Sequence, residues 1–164
     1  MTFTEQFPAI AREAAEKTYR DKSLNCAESI FKALLTSCGE ECPDSLVRAA
    51  TGFGRGMGGS GCSCGALTGS IMAAGVLLGR EAIGEDPKFC QELSKKIHDA
   101  FRAHHRATCC RVLHNGLISG SPEQKAACAI RTGETAEIVA KILMEAAKEK
   151  EVAKAKEAAA NAGK

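Results

Sequence analysis

Nine cysteines stand in this 164-residue chain, at Cys26, Cys38, Cys42, Cys62, Cys64, Cys90, Cys109, Cys110 and Cys128. A thiolate is at once a nucleophile, half of a redox couple and a soft metal ligand. Two of the nine close a glycine-rich run, Gly52-Phe-Gly-Arg-Gly-Met-Gly-Gly-Ser-Gly-Cys-Ser-Cys-Gly65. Thiolates gathered beside such flexible backbone point to a metal cluster or a redox centre. No pair forms C-x-x-C, and Cys62-Ser-Cys64 and Cys38-x3-Cys42 match neither a zinc ribbon nor a bacterial ferredoxin. Local spacing alone therefore does not choose the metal.

Position along helices sorts the thiols further. Cys26 and Cys64 fall at expected helix N-termini, where amide dipoles favour the thiolate and lower its pKa. Cys110 enters a short helix after Thr108, and Cys128 lies inside a capped helix. These four could converge. Cys38 and Cys90 sit on apolar stripes and read as small buried hydrophobes. Neighbouring side chains diverge, so Cys109-Cys110 is expected to offer one ligand, not two.

Gly54-Arg-Gly-Met-Gly-Gly59 satisfies G-x-G-x-x-G, but a dinucleotide site needs a strand before it and an acidic strand end after it. Neither is present, and the P-loop lysine is missing. The amides of Gly56, Gly58, Gly59 and Gly61 are instead expected to hydrogen-bond an anionic cofactor such as cluster sulfide or thiolate. A tight interhelical connection explains the glycines almost equally well. His98, His104, His105 and His114 are expected on the surface. Arg55, Arg80 and Arg111 fit either charge balance at a centre or solvent-facing ion pairs.

Helices must position these side chains, because no period-2 run of β-branched residues appears. A first helix is expected over about 6–21. A second carries Cys26, Ile30, Phe31, Leu34, Leu35 and Cys38 on one face, with Ser23 or Asn25 as N-cap and Gly39 as C-cap. Pro43-Asp44-Ser45 opens a short helix. From Cys64 to Leu78 a helix of small residues, closed by Gly79, is expected to be central. Asp86-Pro87 reads as N-cap and N1 of the next. Ser121-Pro122-Glu123-Gln124 has the form of a capping box, and Gly133 is expected to kink or divide the helix that follows. Residues 1–148 are thus expected to form a single all-α domain, a bundle of five to seven helices. Residues 149–164 form an Ala/Lys/Glu-rich tail, helical or frayed.

The bulk numbers agree. A chain of this length builds a core without staples, and 4% aromatic content without Trp suits aliphatic helix packing. With 22 basic and 20 acidic residues, charge gives no argument for nucleic acid or membrane as partner. No apolar run approaches the roughly 18 residues a bilayer span needs, and the first eight residues do not read as a signal peptide. Stable disulfides are then not expected, and an odd number of cysteines cannot all pair within one chain. A cytoplasmic location follows. Small residues on the central helix permit a homodimer without demanding one.

Asn25-Cys-Ala27, Ala50-Thr-Gly-Phe-Gly54, Cys64-Gly-Ala-Leu-Thr-Gly69, Cys110-Arg111 and Cys128 together resemble the C_GCAxxG_C_C family of redox-active proteins, over about residues 22–145. A related domain in split-Soret cytochromes is associated with an iron–sulfur centre. The resemblance implies that Cys26, Cys64, Cys110 and Cys128 are the metal ligands, with Cys62 or Cys109 as substitutes for a neighbour. It implies a redox role without naming a substrate. Four thiolates suit a [2Fe–2S] or [4Fe–4S] cofactor, so the first expectation is electron transfer or redox sensing with an unidentified redox partner protein. A metal-free thiol–disulfide oxidoreductase, using Cys62 with Cys64 or Cys64 with Cys110, is one alternative. A zinc-stabilised helical module is the other.

Overall fold

Proline near the start of the first helix, where its missing amide proton costs nothing, opens α1 (Phe7–Arg20) in the computed structural model, which describes residues 1–162. The others are α2 (Cys26–Ser37), α3 (Asp44–Arg48), α4 (Gly54–Met57, a single turn whose Arg55, Gly56 and Met57 have positive φ), α5 (Gly65–Leu78), α6 (Lys88–His105), α7 (Cys110–Leu113) and α8 (Pro122–Ala162). A 3-10 turn over Thr51–Phe53 leads into α4. Among the described residues the only β pairing is an isolated bridge between Ser63 and Cys109. The fold is all-α, as its periodicity predicts.

α1 lies along α8 and α2, and α2 lies along α5. The core is built from Phe7, Ile30, Phe31, Leu34, Leu35, Ile97, Phe101, Val139 and Leu143, all 1% exposed or less. Burying a side chain of this size stabilises the fold by about 1.5–3 kcal/mol. α5 has no amphipathic face because it packs against α2, α6 and α8 at once. Its small residues allow this: a side chain at Gly69 would strike the carbonyl of Ala27.

Three boundaries differ from expectation. Gly133 neither kinks nor divides α8, which runs unbroken from Pro122 to Ala162. It is a packing glycine, since a Cβ there would come within 3.1 Å of Glu16 and 3.2 Å of the Arg12 carbonyl on α1. Pro87 is the N-cap of α6 rather than its first residue, with Asp86 Oδ1 accepting from the Lys88 amide at 2.9 Å. At Ser121 only half of the capping box forms. Ser121 Oγ accepts from the Gln124 amide, while the Gln124 side chain accepts from Gly120 rather than from Ser121.

The alanine-rich segment continues α8 as helix and is partly docked. Lys150 Nζ donates to the carbonyls of Leu78 and Gly79, and Lys154 pairs with Glu81. The Lys150 ammonium thus meets the unsatisfied carbonyls at the end of α5. Among the described residues no helix is long and apolar enough to cross a membrane.

Candidate functional site

The N-terminus of α2 is tied to the glycine-rich loop by one side-chain network. Asn25 Oδ1 accepts from the amides of Ala27 and Glu28, and Glu28 Oε2 accepts in return from the Asn25 amide at 2.8 Å. Thr51 Oγ1 donates to Glu28, while Asn25 Nδ2 donates to the Thr51 carbonyl. This is a complete capping box that also fixes the entry to the loop. Cys26 is thereby held as the first residue of α2.

The loop then turns left-handed. Arg55, Gly56, Met57, Gly58 and Gly59 all have positive φ, and the Gly58 amide donates to the Gly54 carbonyl. Arg55 and Met57 adopt a conformation that costs non-glycine residues about 1–2 kcal/mol each. Gly56 has no substitute here: at φ +71° a Cβ would lie 2.6 Å from Cys110 Cβ and 2.8 Å from the Cys62 nitrogen. Beyond the turn, the Cys64 amide donates to Thr108 and the amides of Cys110 and Arg111 donate to Cys62 and Gly61. These bonds lock Cys62–Cys64 against Thr108–Arg111 and set Cys64 and Cys110 side by side. Gly65 completes the fit, since a Cβ there would collide with Cys26 Sγ.

The result is a cavity of about 1170 Å³ between the starts of α2, α5 and α8, the left-handed turn and α7, lined by Cys26, Cys64, Cys110 and Cys128. Four thiols dispersed along the chain are thus brought together. Cys62 is exposed and Cys109 donates to the Gly61 carbonyl, and neither lines the cavity. Cys38 is buried in the core, whereas Cys42 and Cys90 are half-buried. Gly59 and Gly61 reach the cavity, but Gly56 and Gly58 do not. The loop amide that meets a thiol is that of Arg55, toward Cys26.

The expectation that helix N-termini depress the thiol pKa values fails. Burial raises Cys26 against the Arg55 amide, and it pushes Cys64 up to about 12, with Cys26 acting in the same sense. Cys110 is pushed up to about 11 by burial and by Cys26 and Cys128, and burial raises Cys128 as well. Taking a thiolate out of water costs several kcal/mol, whereas a helix terminus returns about 0.3–1 kcal/mol. Cys109 moves the other way, lowered first by the Val112 amide.

Three further residues of the site are not evident from the sequence. His114, expected on the surface, is 8% exposed, with Nε2 3.3 Å from Cys128 Sγ. Its position four residues after Cys110 is the signal that could have found it. Tyr19 lines the cavity, and its hydroxyl pKa is raised by burial and then by the Cys128 thiol. Arg131 favours the thiolates of Cys64, Cys110 and Cys128. Of the three arginines singled out in the sequence, Arg55 and Arg111 line the cavity and Arg80 does not.

Buried polar atoms test whether the site suits a bound group. Among the described residues, the buried side-chain atoms without a hydrogen-bond partner are His114 Nδ1 and Arg131 Nη1, and both residues line this cavity. Among the described residues no three cysteine sulfurs lie within 4.8 Å of one another. Elsewhere, the ligand atoms of His104, His105 and Glu134 lie within 4.8 Å of one another. None of the three lines the cavity, and His104 already meets Glu134 while His105 meets Thr135.

An uncharacterized protein of Archaeoglobus fulgidus is 41% identical over 68 residues, which are 38% of this chain and 45% of that protein. The chain thus spans less than half of that relative's length. No solved structure matches. The family described as "Putative redox-active protein (C_GCAxxG_C_C)" matches residues 24–142, from the capping box at α2 to the middle of α8. Every segment that lines the cavity with a cysteine falls inside that match, and the chain belongs to this redox-active, cysteine-rich family.

Proposed function

We propose that the protein holds an iron–sulfur cluster on Cys26, Cys64, Cys110 and Cys128 and serves in electron transfer or redox sensing with a partner protein. The observation that supports it is the convergence of these four thiols, from four separate segments, on one cavity. Bound there, a [2Fe–2S] or [4Fe–4S] cluster would supply one-electron transfer at a potential set by burial, charge and hydrogen bonds to sulfur.

The chain's own groups suit that task. The Arg55 and Ala27 amides favour the anionic form of Cys26, and the Ala66 amide that of Cys64. Arg131 offsets negative charge beside three of the sulfurs. Because the thiols hold their protons until a metal displaces them, loading releases protons and falls with acidity. The reading goes with a reducing, cytoplasmic setting, where nine unpaired thiols persist.

Anaerobic reconstitution followed by iron and sulfide analysis and an absorption spectrum tests the reading and the cluster type. Cys64→Ser is expected to abolish loading, and Cys90→Ser to leave it within about twofold, a factor worth only about 0.4 kcal/mol. Zinc at one per chain with no visible absorption would replace the cluster with the zinc alternative. Equal loss in both variants would refute the ligand assignment.

Metal-free thiol–disulfide exchange is the second reading, favoured by the lowered pKa of Cys109 beside exposed Cys62. It no longer suits Cys64 as the attacking thiol, since burial keeps Cys64 protonated.

A further inference from the structure

The chain has 20 acidic residues, yet none lines the cavity, whereas Arg20, Lys22, Arg55, Arg111, Lys125 and Arg131 all do. Arg20 is paired with Glu16. The other five have no carboxylate partner among the described residues. Arg55 donates only to Ser119 Oγ, at 3.3 Å. Arg131 spends Nη2 on the Leu113 carbonyl and leaves Nη1 buried and unpartnered. A net charge of +2 over the whole chain makes this concentration a local feature, not a reflection of composition.

Size points the same way. Ligand pockets run from about 300 to 1,000 Å³, and this cavity, at about 1170 Å³, has room for a small molecule as well as a thiol-bound centre. It is open, polar at its cationic rim and thiol-lined at its base. We infer that the cavity binds a small oxyanion, a carboxylate or phosphate compound, held by Arg131 from within and by Arg55, Arg111 and Lys125 at the rim, next to the cysteine centre. The unpartnered Nη1 of Arg131 is left to donate to an oxygen of such a group, a charge-assisted hydrogen bond. The inference rests on the redox reading for the anion's role beside the centre, as substrate or as gate to it. Binding itself does not require a loaded centre.

Titration calorimetry tests this on full-length protein, thiol-reduced and metal-free in one arm and reconstituted in the other. The probes are pyrophosphate and citrate, each at constant ionic strength. Saturable binding of one probe per chain is the expected result, and the probe that binds more tightly assigns the source as phosphate or carboxylate. Arg131→Met should weaken binding by about tenfold or more, the worth of a hydrogen bond to a charged group. Because Arg131 is half-buried, the exposed pair Arg55→Gln and Lys125→Gln provides a second test, with an expected loss of at least about threefold at unchanged circular dichroism.

The proposal is overturned if neither probe saturates in either arm, or if binding vanishes when chloride replaces the other ions at equal ionic strength. It is equally overturned if the rim variants bind as the parent does. Iron content is read on the same samples. Normal iron without anion binding removes only this proposal, and anion binding without iron uptake removes only the cluster.

Discussion

The helical core and the thiol cavity treat buried polar groups in opposite ways. In the core, Ser70 Oγ donates to the Ala66 carbonyl at 2.7 Å and Thr135 Oγ1 to the Arg131 carbonyl at 2.7 Å, each served within its own helix. At the cavity, His114 Nδ1 and Arg131 Nη1 are buried without a partner, and four thiols are desolvated. An unserved buried group costs about 1–3 kcal/mol. One region is complete as folded. The other leaves buried polar atoms without a partner inside the protein.

The difference can be sharpened by substitution, taking the largest effect first. Phe31→Ala, at a fully buried site on α2, is expected to lower stability by about 3–5 kcal/mol and to change metal uptake per folded molecule little. Denaturant unfolding beside iron analysis reads both. Gly65→Ala should cost about 1–3 kcal/mol by overpacking against Cys26, the Phe53 carbonyl and the Ala27 nitrogen. Its larger consequence is displacement of Cys26, read as lost loading at a denaturant midpoint that is still measurable. Unchanged loading would mean that this contact does not position the thiol.

An acid titration probes the core side. His105 is pushed down to about 4 from its ordinary 6.5, first by burial and then by His104 and Arg131. Its folded pKa is depressed, so the unfolded chain takes up the proton first as pH falls. Stability contributed by the neutral ring is therefore present above about pH 6.5 and lost progressively toward pH 4. Discounted for its half-exposed position, the loss is about 1–2 kcal/mol. Urea unfolding at the two ends of that window measures it. His105→Gln should flatten the slope, and an unaltered slope would assign the acid sensitivity elsewhere.

The smallest effect is expected at the cavity wall. His114→Phe removes the unpartnered Nδ1 together with the Nε2 contact to Cys128 Sγ, and the two effects offset, so metal-free stability should change by less than about 1 kcal/mol. Loading should suffer by more than stability does. A loss above about 3 kcal/mol in the metal-free protein would show that His114 belongs to the scaffold and would dissolve the contrast between the two regions.

Much of the scaffold is legible in the residues alone. The stripe from Cys26 to Cys38 predicts α2 and its buried face, and Asn25 predicts its cap, because apolar period and side-chain capping are local properties. Gly133 shows where local reading stops. A glycine between helical stretches resembles a breaker until α1 is seen to pack against it. The alanine-rich end of α8 reads as having almost nothing to bury, yet Lys150 binds the end of α5 and Lys154 binds Glu81 just beyond it.

The site divides along the same line. Sequence by itself determined which residue types are present, which turns must be glycine-rich and which segments begin helices, since those depend on near neighbours. Tertiary structure alone decided that Cys26, Cys64, Cys110 and Cys128 share one cavity while Cys62 and Cys109 lie outside it. It also decided that burial outweighs the helix termini at the thiols, and that His114, Tyr19 and Arg131 join them. Desolvation and through-space charge depend on what the rest of the chain places around a group, and no spacing along the chain encodes that.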